Sequence, residues 1–288
     1  MSKILCGTDV VDKYKDYIKK EIQELETTPT LAIIVAKDYS GASSVYVRNK
    51  HKMAEELGIR VIEYTIEWEN VEANVFTNTL VCLINSLNND DDVDGIIVQL
   101  PIPFISDDYI ASLIDPKKDV DGFNPYNLGG IVRGNAVLNS CTPQGAMLLL
   151  DHYNIQVSGK ICCVVGRSNI LGKPLSNMLI NKGGTVITCN SKTPNLKAMT
   201  KLADIVFLCT GNTKMFDSSY FKDGAIAIDF GMNRDENGKL CGDLDVEDAQ
   251  SKLSGYTPTP KGTGPLTVLV LMLNTLLAHK NKKDTCVI

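Results

Sequence analysis

The sequence predicts an α/β protein of two domains: an N-terminal α/β substrate domain, then a domain on a doubly wound parallel sheet. Three observations predict it. Short β-rich apolar runs alternate with helix-periodic segments along nearly the whole chain, the pattern of parallel α/β proteins. The 288 residues, 44% hydrophobic and 22% charged, are enough for two globular cores and exclude a disordered or coiled-coil architecture. A stretch rich in Gly, Pro and Asn at 115–135 divides a first α/β series from a second and is the expected interdomain crossing.

Taken in order, residues 9–26 read as an amphipathic helix, TLAIIVA at 30–36 as a buried strand, and 43–58 as a helix that Gly58 stops. A strand at 59–66 and a helix at 71–88 lead to the strand DGIIVQL at 94–100, halted by Pro101 and Pro103. The second series opens with a helix from Thr142, with Pro143 in its first turn. KICCVVG (160–166), GTVITC (184–189), DIVFLC (204–209) and AIAIDFG (225–231) follow as strands. A hydrophobic helix at 266–279 has no further strand to join and is expected to pack back on the first domain. The division is therefore 1–140 with 266–288 against 141–265, with a cleft between.

Composition narrows the chemistry. With 29 Lys and Arg against 34 Asp and Glu the net charge is −5, so a broad basic field for nucleic acid is excluded and an anionic ligand must be caught locally. Nine cysteines, at 6, 82, 141, 162, 163, 189, 209, 241 and 286, are odd in number and lack CxxC spacing, which predicts reduced thiols, mostly as small core residues. The three histidines show no metal-ligand spacing, so no protein-held metal is expected. The apolar run Val268–Leu273 falls far short of the ~20 residues of a membrane helix, and the N-terminal sequence has no signal-peptide core; a cytoplasmic protein is expected.

Two sets of residues carry chemistry. Gly166-Arg167-Ser168, with Gly172 and Pro174 beyond, follows the strand ICCVV and opens a helix, where glycine lets the backbone approach a pyrophosphate at a helix N-terminus. The spacing is not GxGxxG, and alone it also suits a plain strand-to-helix turn. The next strand ends Cys189-Asn190-Ser191-Lys192, without the acid that binds an NAD ribose; Ser191, Arg167 and Lys192 suit a 2′-phosphate, which favours NADP. In the first domain Tyr46 and Lys50 share a helix face with Met53 and Leu57, so burial would lower the lysine pKa toward neutrality. A lysine whose head reaches water is the other reading of the same spacing. Gln99 ends a parallel strand, and Asp119 and Asp121 follow in KKDVDGF, where a carboxylate either accepts the N–H donors of a heterocycle or only shapes a turn.

Together these pieces resemble the bifunctional methylenetetrahydrofolate dehydrogenase/methenyltetrahydrofolate cyclohydrolase family, often called FolD. The resemblance rests on SxxYVxxKxK at 43–52, DGIIVQLPIP at 94–103, PKKDVDGFNP at 116–125, CTPQG at 141–145, VVGRSNILGKP at 164–174, TVITCNSKT at 185–193, IDFGMNR at 228–234, GDLD at 242–245 and TPTPKGTGP at 257–265. It implies a Rossmann-like NADP-binding domain, a homodimer, and oxidation of methylenetetrahydrofolate by NADP followed by hydrolysis of the methenyl product to formyltetrahydrofolate. By the same resemblance Lys50 is the catalytic lysine, Tyr46 orients the folate, Gln99 holds the lysine, Asp121 grips the pterin and Ser43 supports the site. Pro101, Gly262, Gly264 and Pro265 belong on the substrate side; Gly166, Arg167, Ser168, Ser191 and Met232 on the cofactor side.

The chain departs from the family pattern at Thr259, Lys261, Thr263 and Leu266 in the glycine-rich loop, and at Asn124, Gly130 and Asn190. A shikimate-dehydrogenase-like enzyme is the nearest alternative, but it does not require VQLPIP and KDVDGF together. In short-chain reductases YxxxK follows the nucleotide loop, whereas here it precedes it. A binding protein that has lost catalysis would have no use for Tyr46, Lys50, Gln99 and Asp121 as a set.

Overall fold

A computed structural model describes residues 2–37 and 44–284. In chain order the elements are β1 (Lys3–Ile4), α1 (Gly7–Gln23), β2 (Thr30–Ala36), α2 (Ser44–Leu57), β3 (Arg60–Ile66), α3 (Ala73–Asn88), β4 (Gly95–Gln99), α4 (Asp107–Leu113), α5 (Pro125–Arg133) and α6 (Cys141–His152). There follow β5 (Ile161–Val165), α7 (Gly172–Asn181), β6 (Thr185–Cys189), α8 (Leu196–Leu202), β7 (Ile205–Leu208), β8 (Ile226–Asp229), β9 (Asn233–Arg234), β10 (Leu240–Cys241), α9 (Val246–Ala249), β11 (Gly255–Tyr256) and α10 (Gly264–Asp284).

The chain forms two compact units, one from Tyr14–Cys141 with Val268–Ile288, the other from Met1–Lys13 with Thr142–Thr267. The first holds a parallel sheet in the order β3-β2-β4. Every residue of β2 is buried, while edge strand β3 alternates toward solvent. One face of α3 places Phe76, Leu80, Ile84 and Leu87 in the core with Ala32, Ile34, Ile96 and Val98, because i, i+4, i+8 and i+11 fall on one side of a helix. As expected, α10 returns to this unit: Asn274 Nδ2 donates to the Val120 and Asn139 carbonyls, 2.8 Å each, and His279 Nδ1 lies 3.0 Å from the Asp94 carboxylate.

The second unit carries the six-stranded sheet β1-β11-β8-β7-β5-β6, parallel throughout. Its core gathers Cys163, Val165, Val206, Leu208, Phe216, Phe221 and Ala227. Two expectations are corrected. Residues 1–13, assigned by sequence to the first domain, belong here, because β1 pairs with β11 and Leu5 N donates to Tyr256 O at 2.8 Å. The expected crossing at 115–135 lies wholly in the other unit and carries helix α5 at Pro125–Arg133. Its Asn, Pro and Gly are helix punctuation: Asn124 Oδ1 caps α5 by accepting from Tyr126 N, Pro125 takes the first turn, and Gly134 closes the helix in the left-handed region at φ 77°.

Candidate functional site

In each sheet the strand order turns about one strand: β2 has β3 on one side and β4 on the other, and β5 likewise stands between β6 and β7. Loops leaving the carboxyl ends of the two strands at such a point diverge and open a crevice, which is where parallel α/β sheets receive ligands. Tyr46, Lys50 and Gln99 belong to the first of these places and Gly166, Arg167 and Ser168 to the second, whereas Met232, Gly262, Gly264 and Pro265 lie elsewhere in the six-stranded unit.

In the three-stranded unit α2 follows β2 and carries Tyr46 and Lys50; Gln99 is the last residue of β4. Lys50 Nζ donates to Gln99 Oε1 at 2.5 Å, and Gln99 Nε2 donates to Leu100 O at 2.9 Å, which aims the amide oxygen at the ammonium. Along the shared helix face Tyr46 is 53% exposed and Leu57 is 2% exposed, with Lys50 partly buried between them. The ammonium ends on a built acceptor and not free in water. Burial pulls Lys50 below the ordinary lysine range, while Asp121 and Cys141 work against that shift.

Asp121 is partly buried, and burial pushes its carboxyl up to about 6 against the opposing pull of Lys50. The two neighbouring acids have different work. Asp119, 1% exposed, accepts from Gly122 N (3.1 Å), Asn124 N (2.7 Å) and Asn127 Nδ2 (2.9 Å), so its carboxylate folds the loop that presents Asp121. Gly122 holds φ 77°, and a Cβ there would come within 2.5 Å of the Asn139 carbonyl carbon; this packs the Asp121 loop onto residues 139–141.

Cys141, expected from sequence as core packing, lies within reach of the Val120 carbonyl (3.2 Å) and of the Asp121 carboxyl. Burial and the Asp121 charge push its thiol well above the usual range. Pro101 is exposed just past Gln99. Ser43 lies outside the described residues.

In the six-stranded unit Gly166 follows β5 at φ 148°, and a Cβ there would stand 2.7 Å from Cys209 O just past β7. Only glycine allows these loops to approach so closely. Gly166 N also donates to Cys189 O at 2.9 Å, which ties the start of the Arg167–Ser168 loop to the end of β6, two residues before Ser191; the side chains of Arg167, Ser168 and Ser191 are exposed. Asn190 turns the chain after β6, its backbone N–H donating to Thr193 Oγ1 and its Oδ1 accepting from Lys192 N, both at 2.9 Å. The absence of an acid at this strand end, the cation at Arg167 and the close-packed glycine turn together fit a dinucleotide with a 2′-phosphate.

Met232, 47% exposed after β8, lies beside Gly264, whose Cβ position is 3.8 Å from its sulfur. Two buried acids in the same unit were not singled out from sequence. Asp243 accepts from Thr210 N (2.7 Å), Thr210 Oγ1 (2.8 Å), Gly211 N (3.0 Å) and Asn233 Nδ2 (2.9 Å), and so ties the loops after β7 and β8. Asp229, pushed by burial to about 6, accepts from Gly231 N, Asp243 N and Leu244 N. Their sequence signal was their place in IDFGMNR and GDLD, at the carboxyl end of a strand and in the loop that returns to it.

The departures have local causes. Thr263 Oγ1 donates to Asp229 O at 2.9 Å and Leu266 is fully buried, so these larger residues fasten the 257–266 loop to its own unit. Lys261 sits at φ 80°, a conformation that suits glycine better. A Cβ on Gly130 would meet the Ala136 Cα at 2.7 Å, so this backbone has no room for a side chain there. Asn124, 6% exposed, donates to the Ala111 and Ile114 carbonyls besides capping α5.

Comparison with known proteins agrees on both units. Residues 5–121 match the family model "Tetrahydrofolate dehydrogenase/cyclohydrolase, catalytic domain", and residues 140–283 match the NAD(P)-binding domain of the same family. The chain is 46% identical to the bifunctional protein FolD of Lachnoclostridium phytofermentans over 97% of its own length and 99% of that protein's. The crystal structure of the bifunctional methylenetetrahydrofolate dehydrogenase/cyclohydrolase of Campylobacter jejuni superposes with a TM-score of 0.93 at 40% identity, covering 98% of this chain and 100% of the other. The Trypanosoma brucei enzyme, solved with NADP and an inhibitor, gives 0.89 at 30% identity, covering 98% of each chain.

Proposed function

The chain belongs to the tetrahydrofolate dehydrogenase/cyclohydrolase family, and from that premise we propose that it oxidises methylenetetrahydrofolate to methenyltetrahydrofolate with NADP and hydrolyses the product to formyltetrahydrofolate. The observation that carries the reading is the Lys50–Gln99 contact at 2.5 Å, with Asp121 facing the same ammonium. NADP, when bound, supplies the hydride acceptor. Arg167 and Ser191 are the groups suited to its 2′-phosphate, the Gly166–Ser168 backbone to its pyrophosphate, and Met232 lines the same unit farther along.

Hydrolysis makes a different demand on the chain. Water adds to the cationic methenyl carbon and loses a proton, and a ring nitrogen must gain one as the C–N bond opens. A group that accepts and then returns a proton near neutral pH serves both steps, and an ordinary lysine does so poorly. Lys50 is suited because burial lowers its pKa and Gln99 fixes its direction. Asp121 is suited to grip the donor N–H groups of the pterin, and Tyr46, exposed one turn before Lys50, to orient the folate. Ser43, Pro101, Gly262, Gly264 and Pro265 belong to the substrate side on the family pattern.

The testing measurement is the coenzyme-dependent absorbance change on adding methylenetetrahydrofolate to purified protein, followed by decay of the methenyl chromophore above its spontaneous rate. No reduced coenzyme from a folded protein shown to bind methylenetetrahydrofolate would sink the reading. The family pattern also supports a homodimer working in the cytosol, tested by sedimentation equilibrium and cell fractionation. Among the described residues no helix is long and apolar enough to cross a membrane.

A further inference from the structure

We propose that Asn274, on α10, is a positioning residue for hydrolysis: its amide sets Asp121 and Cys141 in place against Lys50. The inference rests on the function proposed above and extends it to a residue with no place in the sequence-level site. Asn274 is 2% exposed in the middle of a hydrophobic helix, an expensive setting for an amide unless its donors are satisfied. They are satisfied by two carbonyls that flank the reactive groups. Nδ2 donates to Val120 O, the residue before Asp121, and to Asn139 O, two residues before Cys141, 2.8 Å each; Cys141 Sγ lies 3.7 Å away.

One side-chain amide thus bridges two segments that also touch directly, through Cys141 N to Asp121 O at 3.2 Å. Asp119 braces the Asp121 loop from its other side through hydrogen bonds from Gly122, Asn124 and Asn127, which stay within that loop and the start of α5. Asn274 fixes one segment against the other from outside both, alongside the Cys141 thiol, which reaches Val120 O at 3.2 Å. The charged and titratable groups facing Lys50 are Asp121 and Cys141; those facing Asp121 are Lys50, Asp119 and Cys141. Moving the bridge moves the spacing among these groups, and a displacement near 1 Å in a catalytic constellation costs on the order of 100-fold. Asn274 and Cys141 both fall in the stretch matched by the NAD(P)-binding family model, yet they belong to the catalytic unit.

The test compares Asn274→Leu, which keeps volume and removes both donors, with Asn274→Ser, which keeps one donor and adds no bulk. For the folded variants we expect methenyl hydrolysis at saturating substrate to fall roughly 10- to 100-fold, with the serine variant less affected, and the pH profile of hydrolysis to be displaced. KM for the coenzyme should hold. An unchanged turnover number and pH profile in a folded variant, even one of lowered melting temperature, overturns the inference and leaves Asn274 a stabilising residue only. Failure of both variants to fold overturns it too, since the role is then in folding. If the wild-type chain lacks both activities, the functional reading fails instead, and the two failures are told apart.

Discussion

Replacing Asp121 by Asn should make the protein more stable and less active, and the gain should depend on pH. Burial pushes the Asp121 carboxyl from the ordinary 3.8 to about 6, so above that pH the folded state keeps ionised a group it would hold protonated. Each pKa unit is worth about 1.4 kcal/mol, which sets the cost near neutral pH at about 3 kcal/mol. The sign follows from counting protons. Between about pH 4 and 6 the native state retains the proton that the unfolded state has released, so stability falls as pH rises through this window and is flat above it. Asn has the same shape and no such cost. The attraction of Lys50 is already contained in that value, so the expected gain near neutral pH is about 3 kcal/mol. The sole tryptophan, Trp68, lies in the same unit, so its fluorescence in urea reads the unfolding of that unit. A higher midpoint for Asp121→Asn at about pH 7.5, closing toward wild type near pH 4.5, is the expected result. An equal midpoint at the higher pH, or an undiminished gain at the lower, refutes the reasoning.

Lys50→Met keeps most of the side-chain volume and removes the proposed proton carrier; hydrolysis of methenyltetrahydrofolate should fall roughly 100- to 10,000-fold while oxidation survives better, read by separate assays of the two half-reactions. Arg167→Ala should weaken NADP by roughly 10- to 100-fold, as loss of a charge-assisted contact would, and leave NAD use nearly unchanged; equal losses for both coenzymes would place Arg167 on the shared pyrophosphate. Lys261→Gly should relieve the φ 80° backbone and raise the melting temperature slightly, since about 1–2 kcal/mol of left-handed strain exceeds the entropy glycine adds. A lowered melting temperature would show that the Lys261 side chain contributes more than its strain costs.

How much of this was legible in the chain depended on where each signal lay. Strands such as Thr30–Ala36 stand out because a parallel strand buried on both faces must be a continuous apolar run. The two-residue strands β1 and β11 carry no such run, so residues 1–13 were assigned to the wrong unit. At 115–135 Asn, Pro and Gly punctuate a helix with the same residues that break a linker, and only burial tells the two apart. Lys50, Gln99 and Asp121 were readable because each pairs chemistry with a position, on a helix face, at a strand end or in a loop. Asn274 and Cys141 look like interior residues until residues far apart in sequence are brought together. Asp119 and Asp121 differ only in which neighbours their oxygens meet, and spacing does not record that.

The return of α10 to the first sheet also bears on the order in which the protein is made. β2, β3 and β4 leave the ribosome early, but the Asn274 bridge to Val120 and Asn139 and the His279 contact to Asp94 wait for residues 268–284, after nearly the whole six-stranded unit has been synthesised. The early sheet must therefore remain provisional during translation, with the surface around Gly95 and Val120, which Thr275 of α10 later covers, exposed. A ribosome-bound chain halted before residue 268 should show protease-sensitive residues 94–141, and release of the full chain should close them together. The tie between the Val120 and Asn139 segments is then completed at the end of synthesis, so a truncated product, which never acquires Asn274, lacks that bridge.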